Sequence, residues 1–368
     1  MKRKIIVTIC TALLLCVSGV WLTRTGYLKR GFNFVLTQSI ITAIPSGAKY
    51  SAYYYPFTPD WLVISVKPSA MQEYKRMNFL YPYFDGNEFF YNDIPKVSDN
   101  DSSGKIERVT MTAKNDNNYI VYENIFIANS SSKNIDINNI MAEKLKIKMP
   151  ETSDSPSILM YHTHITEAFA LKGQTDYNAS DAPRSKDNAK NIAAVGTALE
   201  KAYEGVFDGR NAVIHSIRNH EEVFNKAYTK SLATANEYIK KYPTIDIVLD
   251  VHRDSIINKE GVKFAPIVDI NGQTAAQVMI IVGSGNKDAP NSHWQDNLRF
   301  AVALQRELEN RYPNICRPLY INDSRYNSHV KNNAVLLEIG SCGNTQEEAE
   351  YTGKLIGETL AEMVEKYR

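Results

Sequence analysis

From Pro156 onward, apolar and polar positions alternate between two periods. Short apolar runs at 158–161, 212–217, 245–251, 278–284 and 334–340 read as buried strands. Between them, apolar residues recur at steps of three and four over 190–203, 221–242, 297–312 and 347–367, the mark of amphipathic helices. Strand and helix alternating at this spacing predict an α/β fold, with a mainly parallel twisted sheet flanked by helices on both faces. Asn271-Gly272 inside VKFAPIVDINGQTAAQVMIIV predicts a hairpin turn. No internal repeat is visible.

The chain before this region has a different pattern. MKRK precedes an uncharged, mostly apolar run of about 18 residues from Ile5 to Leu22, long enough to span a bilayer. Residues 1–23 are therefore expected to be a transmembrane anchor with a cytoplasmic N-terminus, Trp21 sitting at the interface. A cleavable signal peptide is the rival reading, and both export the rest of the chain. Residues 24–150 mix aromatic clusters with Asn/Ser-rich stretches. They read as an extracytoplasmic stalk or small β-rich module around Tyr119 to Ala128, a spacer or a partner-docking surface. Residues 151–368 form the expected catalytic domain.

Composition narrows the function by exclusion. Lys and Arg total 42 against 41 Asp and Glu, so no basic excess marks nucleic acid as a partner. Cys10 and Cys16 lie in the anchor, which leaves Cys316 and Cys342 as the exported pair, of undetermined bond state.

Chemistry gathers where three of the apolar runs end. The first runs into His162, His164 and Glu167 (ILMYHTHITEA), the third into Asp250, His252, Arg253 and Asp254 (LDVHRDS), and the last holds Glu338 (LLEIG). In open α/β sheets functional groups collect at the carboxyl ends of strands. A lone strand-end histidine is ordinarily solvated or capped, but a carboxylate inside an apolar run needs a metal, a charge partner or a raised pKa. Two imidazoles and a carboxylate make the open three-ligand set of catalytic zinc.

The expected ligands are His164, Glu167 and His252. Glu338 is the expected general base, since a carboxylate off the metal must move the water's proton to the leaving nitrogen. His164 takes the ligand position over His162 because it stands at the H-x-x-E step from Glu167. Along a strand both would share a face, so His162 is expected to orient a ligand or polarise the carbonyl. Asp250 is placed to orient His252, and Arg253 to hold a carbonyl or carboxylate of the substrate. His215, His220 and His293 default to structural or surface roles, and His329 is a weaker candidate for the site.

YHTHITEAF, KNIAAVGTAL, FNKAYTKSLATANEYIKKYP, VLDVHRDS, WQDNLRFA, RYNSH and LLEIGSCGNTQEEA occur in one order. Together they resemble the stage II sporulation protein P family, over roughly residues 156–368 plus the anchor. More distantly the strand ends are similar to the zinc N-acetylmuramoyl-L-alanine amidases, with His164, His252 and Glu338 at the matching positions. The resemblance implies a zinc amidase or exopeptidase-like fold and a Zn2+ cofactor. It also implies a peptidoglycan substrate, cut at the amide between N-acetylmuramic acid and L-alanine, and cutting of peptide cross-links. It further implies work during forespore engulfment, on the outer side of the membrane, beside stage II sporulation proteins D and M. The family often has Tyr-Asn-Gln where this chain has Tyr326-Asn327-Ser328, so a substrate contact by that Gln does not carry over, and Asn327 is expected either to support a site residue or to touch the substrate. A zinc carboxypeptidase using Arg253 for a C-terminal carboxylate is the alternative enzyme, and a non-catalytic wall-binding scaffold the alternative of another class.

Overall fold

The computed structural model describes residues 104–113, 118–148, 155–178, 184–207, 213–258 and 260–367. The chain divides into two compact units, Met1–Asn87 and Glu88–Arg368, and all described residues belong to the second. The anchor expected over residues 1–23 lies outside them. Among the described residues no helix is long and apolar enough to cross a membrane.

Twelve strands and five α-helices are described in this unit. In chain order the strands are β1 (Gly104–Val109), β2 (Tyr119–Tyr122), β3 (Ile125–Ser130), β4 (Ile158–Tyr161), β5 (Asp176–Tyr177) and β6 (Val213–Ser216). They continue with β7 (Ile247–Asp254), β8 (Lys263–Ile270), β9 (Gln273–Ala276), β10 (Val278–Gly283), β11 (Leu319–Asn322) and β12 (Ala334–Ser341). The helices are α1 (Ile137–Ala142), α2 (Ile192–Val206), α3 (Ala227–Lys241), α4 (Trp294–Arg311) and α5 (Gln346–Tyr367).

Eight strands form the main sheet in the order β2-β3-β11-β10-β12-β7-β4-β6. Its central run β12-β7-β4-β6 is parallel throughout, and β10 enters antiparallel to β12. The mainly parallel sheet expected from the periodicity is what forms. Alternation along each strand sorts side chains to two faces. Met160, Leu249, Val251, Leu337 and Ile339 pack with α2, α4 and α5, whereas Leu159, Tyr161 and Val248 pack with α3. Helices thus cover both faces.

Two helix starts are legible in the side chains that cap them. Asn191 accepts from Ala193 N at 2.9 Å to open α2. Thr345 and Glu348 exchange backbone contacts at 3.2 and 3.4 Å ahead of α5, a capping box. The Asn271-Gly272 hairpin forms as expected, with φ of 55° and 76° between β8 and β9, as its tight turn requires.

Residues 104–148, expected as part of a stalk or small β-rich module, contribute strands to both sheets. β2 and β3 extend the main sheet through parallel pairing of β3 with β11, and β1 pairs in parallel with β8 in a second sheet, β5-β1-β8-β9. β2 and β3, of four and six residues, lie where the small β-rich module was expected. Cys316 and Cys342 are both free and buried.

Candidate active site

The sheet builds the site on its α3 face. β7 and β12 run in parallel register with His252 directly opposite Glu338 and Asp250 opposite Leu336. β4 lies on the other side of β7, with Tyr161 opposite Asp250. Val251 packs on the α2 face, so alternation turns Asp250 and His252 toward α3. In β12 every position is buried except Glu338, which is half-buried on the α3 face. Gly340, two residues on, has φ +67°, and the β7–β12 register shifts between Glu338 and Ser341. The strand therefore bulges just past the proposed base.

After β4 the chain turns rather than continuing extended, and this separates the two histidines. Asp250 fastens the turn by accepting from Thr163 N at 2.9 Å and Thr163 Oγ1 at 2.6 Å. His164 falls on the α3 side, its ring 5.6 Å from that of His252, stacked on Phe224 at 4.8 Å. His162 falls on the other side, 2.7 Å from Val251 O and 2.8 Å from His215 Nε2. Burial and the neighbouring His215 push its pKa down to about 3, which keeps it neutral. The expectation that both histidines share one face is therefore corrected: His162 is fully buried beneath the site and does not enter the cleft. His215 is not without company either, since it bridges His162 and Glu200.

Each remaining imidazole is held by a carboxylate. His164 Nδ1 lies 3.1 Å from Glu221 Oε1, and His252 Nε2 lies 2.8 Å from Asp250 Oδ1. The other His252 nitrogen, Nδ1, faces Glu167 Oε2 at 3.4 Å. Burial disfavours charge on His252, but Asp250 and Glu167 outweigh it and raise the imidazole well above its usual pKa. Burial likewise works against the Glu167 and Asp250 carboxylates, and their cationic neighbours, His252 first, hold both below the usual range. Glu221 is brought down to about 2: burial opposes this, and His164, Thr166 N and Arg184 overcome it.

Among the described residues no group of three His, Cys, Asp or Glu side chains converges as a metal-holding cluster. His252 instead lies between Asp250 and Glu167 as an ion pair on both nitrogens. The donor chemistry nevertheless fits zinc. A carboxylate on the far nitrogen of each imidazole is the arrangement that orients metal-binding histidines, and Glu167 stands at the near nitrogen of His252.

Two further expected site residues make contacts within the protein. Arg253 is 3% exposed, with Nε donating to Ala168 O at 2.8 Å and the backbone N–H donating to Glu167 Oε2 at 3.1 Å. Strand alternation sends its side chain away from His252, and these contacts steady the Glu167 loop. Asn327 is 5% exposed, and its Nδ2 donates to Tyr228 O at 2.8 Å and Ser231 Oγ at 3.0 Å. It braces α3, the supporting one of its two expected roles. His329 is placed near Arg325 and His293, which with burial lower its pKa, and joins none of these contacts.

Glu221, Arg184 and Tyr228 were not singled out from the sequence. Arg184 lies 2.5 Å from Glu221 Oε1 and 4.0 Å from Glu167 Oε1. The expected helix over 221–242 begins instead as a 3-10 turn, Glu221–Lys226, which lifts Glu221 into the site ahead of α3. The acidic pair after His220 was the available signal.

A family model described as Stage II sporulation protein P matches residues 82–361. Stage II sporulation protein P of Bacillus subtilis (strain 168) is 26% identical over 220 residues, covering 58% of this chain and 52% of the relative. The chain thus spans about half the length of the curated relative it matches. Among solved structures, N-acetylmuramyl-L-alanine amidase Ami1 from Mycobacterium smegmatis aligns with TM-score 0.36 at 12% identity, over 58% of this chain and 100% of that one. The CwlD amidase from Clostridioides difficile, solved with the GerS lipoprotein, aligns with TM-score 0.33 at 14% identity, over 57% of this chain and 98% of that one.

Proposed function

The chain belongs to the stage II sporulation protein P family, and from that premise we propose that it is a zinc-dependent peptidoglycan hydrolase. Its proposed target is the amide between N-acetylmuramic acid and L-alanine. The observation that carries this reading is the parallel register of His252 and Glu338, which sets a half-buried carboxylate beside an imidazole already oriented by Asp250.

In this reading His164, Glu167 and His252 hold the metal, with Glu221 and Asp250 fixing the two imidazoles. Zn2+, when bound, supplies Lewis acidity and lowers the pKa of water. Glu338 accepts the proton of the attacking water and delivers it to the departing nitrogen. Arg253 keeps the Glu167 loop on the sheet through Ala168 O. With Arg253 buried in that role, a carboxypeptidase loses the cation proposed to hold its substrate's terminal carboxylate. The membrane anchor at residues 1–23, an extracytoplasmic catalytic unit and action beside stage II sporulation proteins D and M belong to the same proposal.

The test is digestion of purified sacculi with and without a chelator, followed by mass analysis of the soluble products. Intact stem peptides with free L-alanine amino termini, lost on chelation, are expected. Single amino acids would indicate a carboxypeptidase, cleaved cross-links on intact glycan an endopeptidase, and no soluble product a scaffold.

A further inference from the structure

Tyr228, in the first turn of α3, lies beside the proposed ligand His164 and has no part in the mechanism above. Its ring meets His164 edge-on at 5.7 Å and 87°, and lies 6.1 Å from the ring of Tyr326. Its backbone carbonyl is gripped by Asn327 Nδ2 at 2.8 Å. Asn327 and Tyr326 are consecutive left-handed residues, with φ of 56° and 45°, a conformation L-residues rarely adopt. The loop keeps it because it is tied at several points. Asn322 Nδ2 donates to Tyr326 Oη at 2.8 Å, Ser328 N donates to Arg325 O at 2.9 Å, and Asn327 spans Tyr228 and Ser231. A strained loop is thus spent on fixing where the first turn of α3, and so Tyr228, stands.

Two carboxylates near the ring are already engaged: Asp250 accepts from Thr163 and pairs with His252, and Glu221 pairs with His164 and Arg184. The Tyr228 hydroxyl bonds to no described residue. Tyr228 is half-buried, so this O–H, set beside His164, is open to solvent and to a ligand.

We propose that Tyr228 contacts the substrate directly, its O–H donating to the scissile carbonyl oxygen as negative charge builds there, and that Asn327 is a positioning residue acting through α3. This rests on the hydrolase reading. The proton stays on the tyrosine throughout. The hydrogen bond strengthens as the oxygen gains charge, so its contribution falls on the transition state more than on binding.

Tyr228→Phe removes only the hydroxyl and keeps the ring against His164 and Tyr326. Steady-state release of soluble muropeptides and zinc content are measured for the full chain. The expected result is a kcat loss on the order of 10²-fold, with KM and bound zinc unchanged. Asn327→Gly, which suits the left-handed backbone but lacks the amide, should lower kcat as well, and the double variant should be no worse than Tyr228→Phe alone. A Tyr228→Phe enzyme with wild-type kcat overturns the contact, as does one whose loss follows loss of zinc. Multiplying losses in the double variant overturn the role of Asn327. A wild type that releases nothing overturns the hydrolase reading and this assignment together, whereas an active wild type with an equally active Tyr228→Phe overturns this assignment alone.

Discussion

His252 and Glu338 are direct register partners across the parallel strands β7 and β12. The pair is fixed by backbone pairing in the middle of the sheet, where neighbouring strands stand about 4.8 Å apart, and not by a loop. The proposed ligand and the proposed base therefore share one rigid platform. Glu338→Gln keeps shape and volume but cannot accept a proton. Hydrolysis of sacculi should fall by about 10³-fold or more, while metal analysis finds zinc at the wild-type ratio. Loss of zinc from this variant would instead make Glu338 a ligand.

Glu221 reaches the site only by holding His164 Nδ1, together with Arg184 and Thr166 N. Removing such a carboxylate frees the imidazole to rotate and lowers its basicity. Glu221→Ala should weaken zinc affinity by roughly 10–100-fold, read by competition with a chromophoric chelator at fixed pH. Asp250→Asn should weaken it comparably through His252. Unchanged affinity in both variants would mean that the two imidazoles are not the ligands.

What the sequence made legible follows from periodicity. The five strand runs and the main helices carry period-2 or period-3.6 apolar patterns, and each appears near its expected place. The strand ends also named His164, Glu167, His252 and Glu338, which the sheet brings to one face. Three things escaped for physical reasons. A turn after Tyr161 breaks the alternation, so His162 and His164, two residues apart, land on opposite sides of the sheet. Arg253 follows a site residue in an unbroken strand, and alternation alone sends it away. β1 holds six residues with no clear period, and the partners that draw β1 and β3 into the two sheets lie far along the chain.

Gly196 in α2 leaves the space in which His162 and His215 meet. A Cβ there would stand 2.7 Å from His215 Nε2 and 2.9 Å from His162 Nε2. In an exposed helix Gly→Ala stabilises by about 1 kcal/mol. Here both rings are anchored, His162 on Val251 O and His215 on Glu200, so neither can yield without breaking a buried hydrogen bond. Overpacking of this kind costs about 1–3 kcal/mol and outweighs the helical gain. Gly196→Ala should lower the urea midpoint relative to the wild type. A raised midpoint would show that the rings repack freely.

Glu309 offers a test of pH dependence far from the metal site. Its carboxyl accepts from Cys316 N at 2.7 Å and Asn314 N at 3.0 Å at the end of α4. Burial raises its pKa to about 7 from 4.5, against the opposing pull of those donors. Between these two values the folded chain binds the proton and the unfolded chain does not, so folding takes up a proton over that window. Stability therefore falls as pH rises through it and levels off above. At about 1.4 kcal/mol per pKa unit, and with part of the residue still touching solvent, the loss amounts to roughly 1–3 kcal/mol. Glu309→Gln carries no charge at any pH, but its one amide oxygen can accept from only one of the two backbone donors, which the carboxylate accepts with different oxygens. The variant should therefore be less stable than the wild type at pH 5, and the difference should shrink as pH rises to 8, because only the wild type loses stability over that window. Urea unfolding of both proteins at the two pH values measures the change in that difference, and parallel pH curves would mean that Glu309 titrates as it does in the unfolded chain.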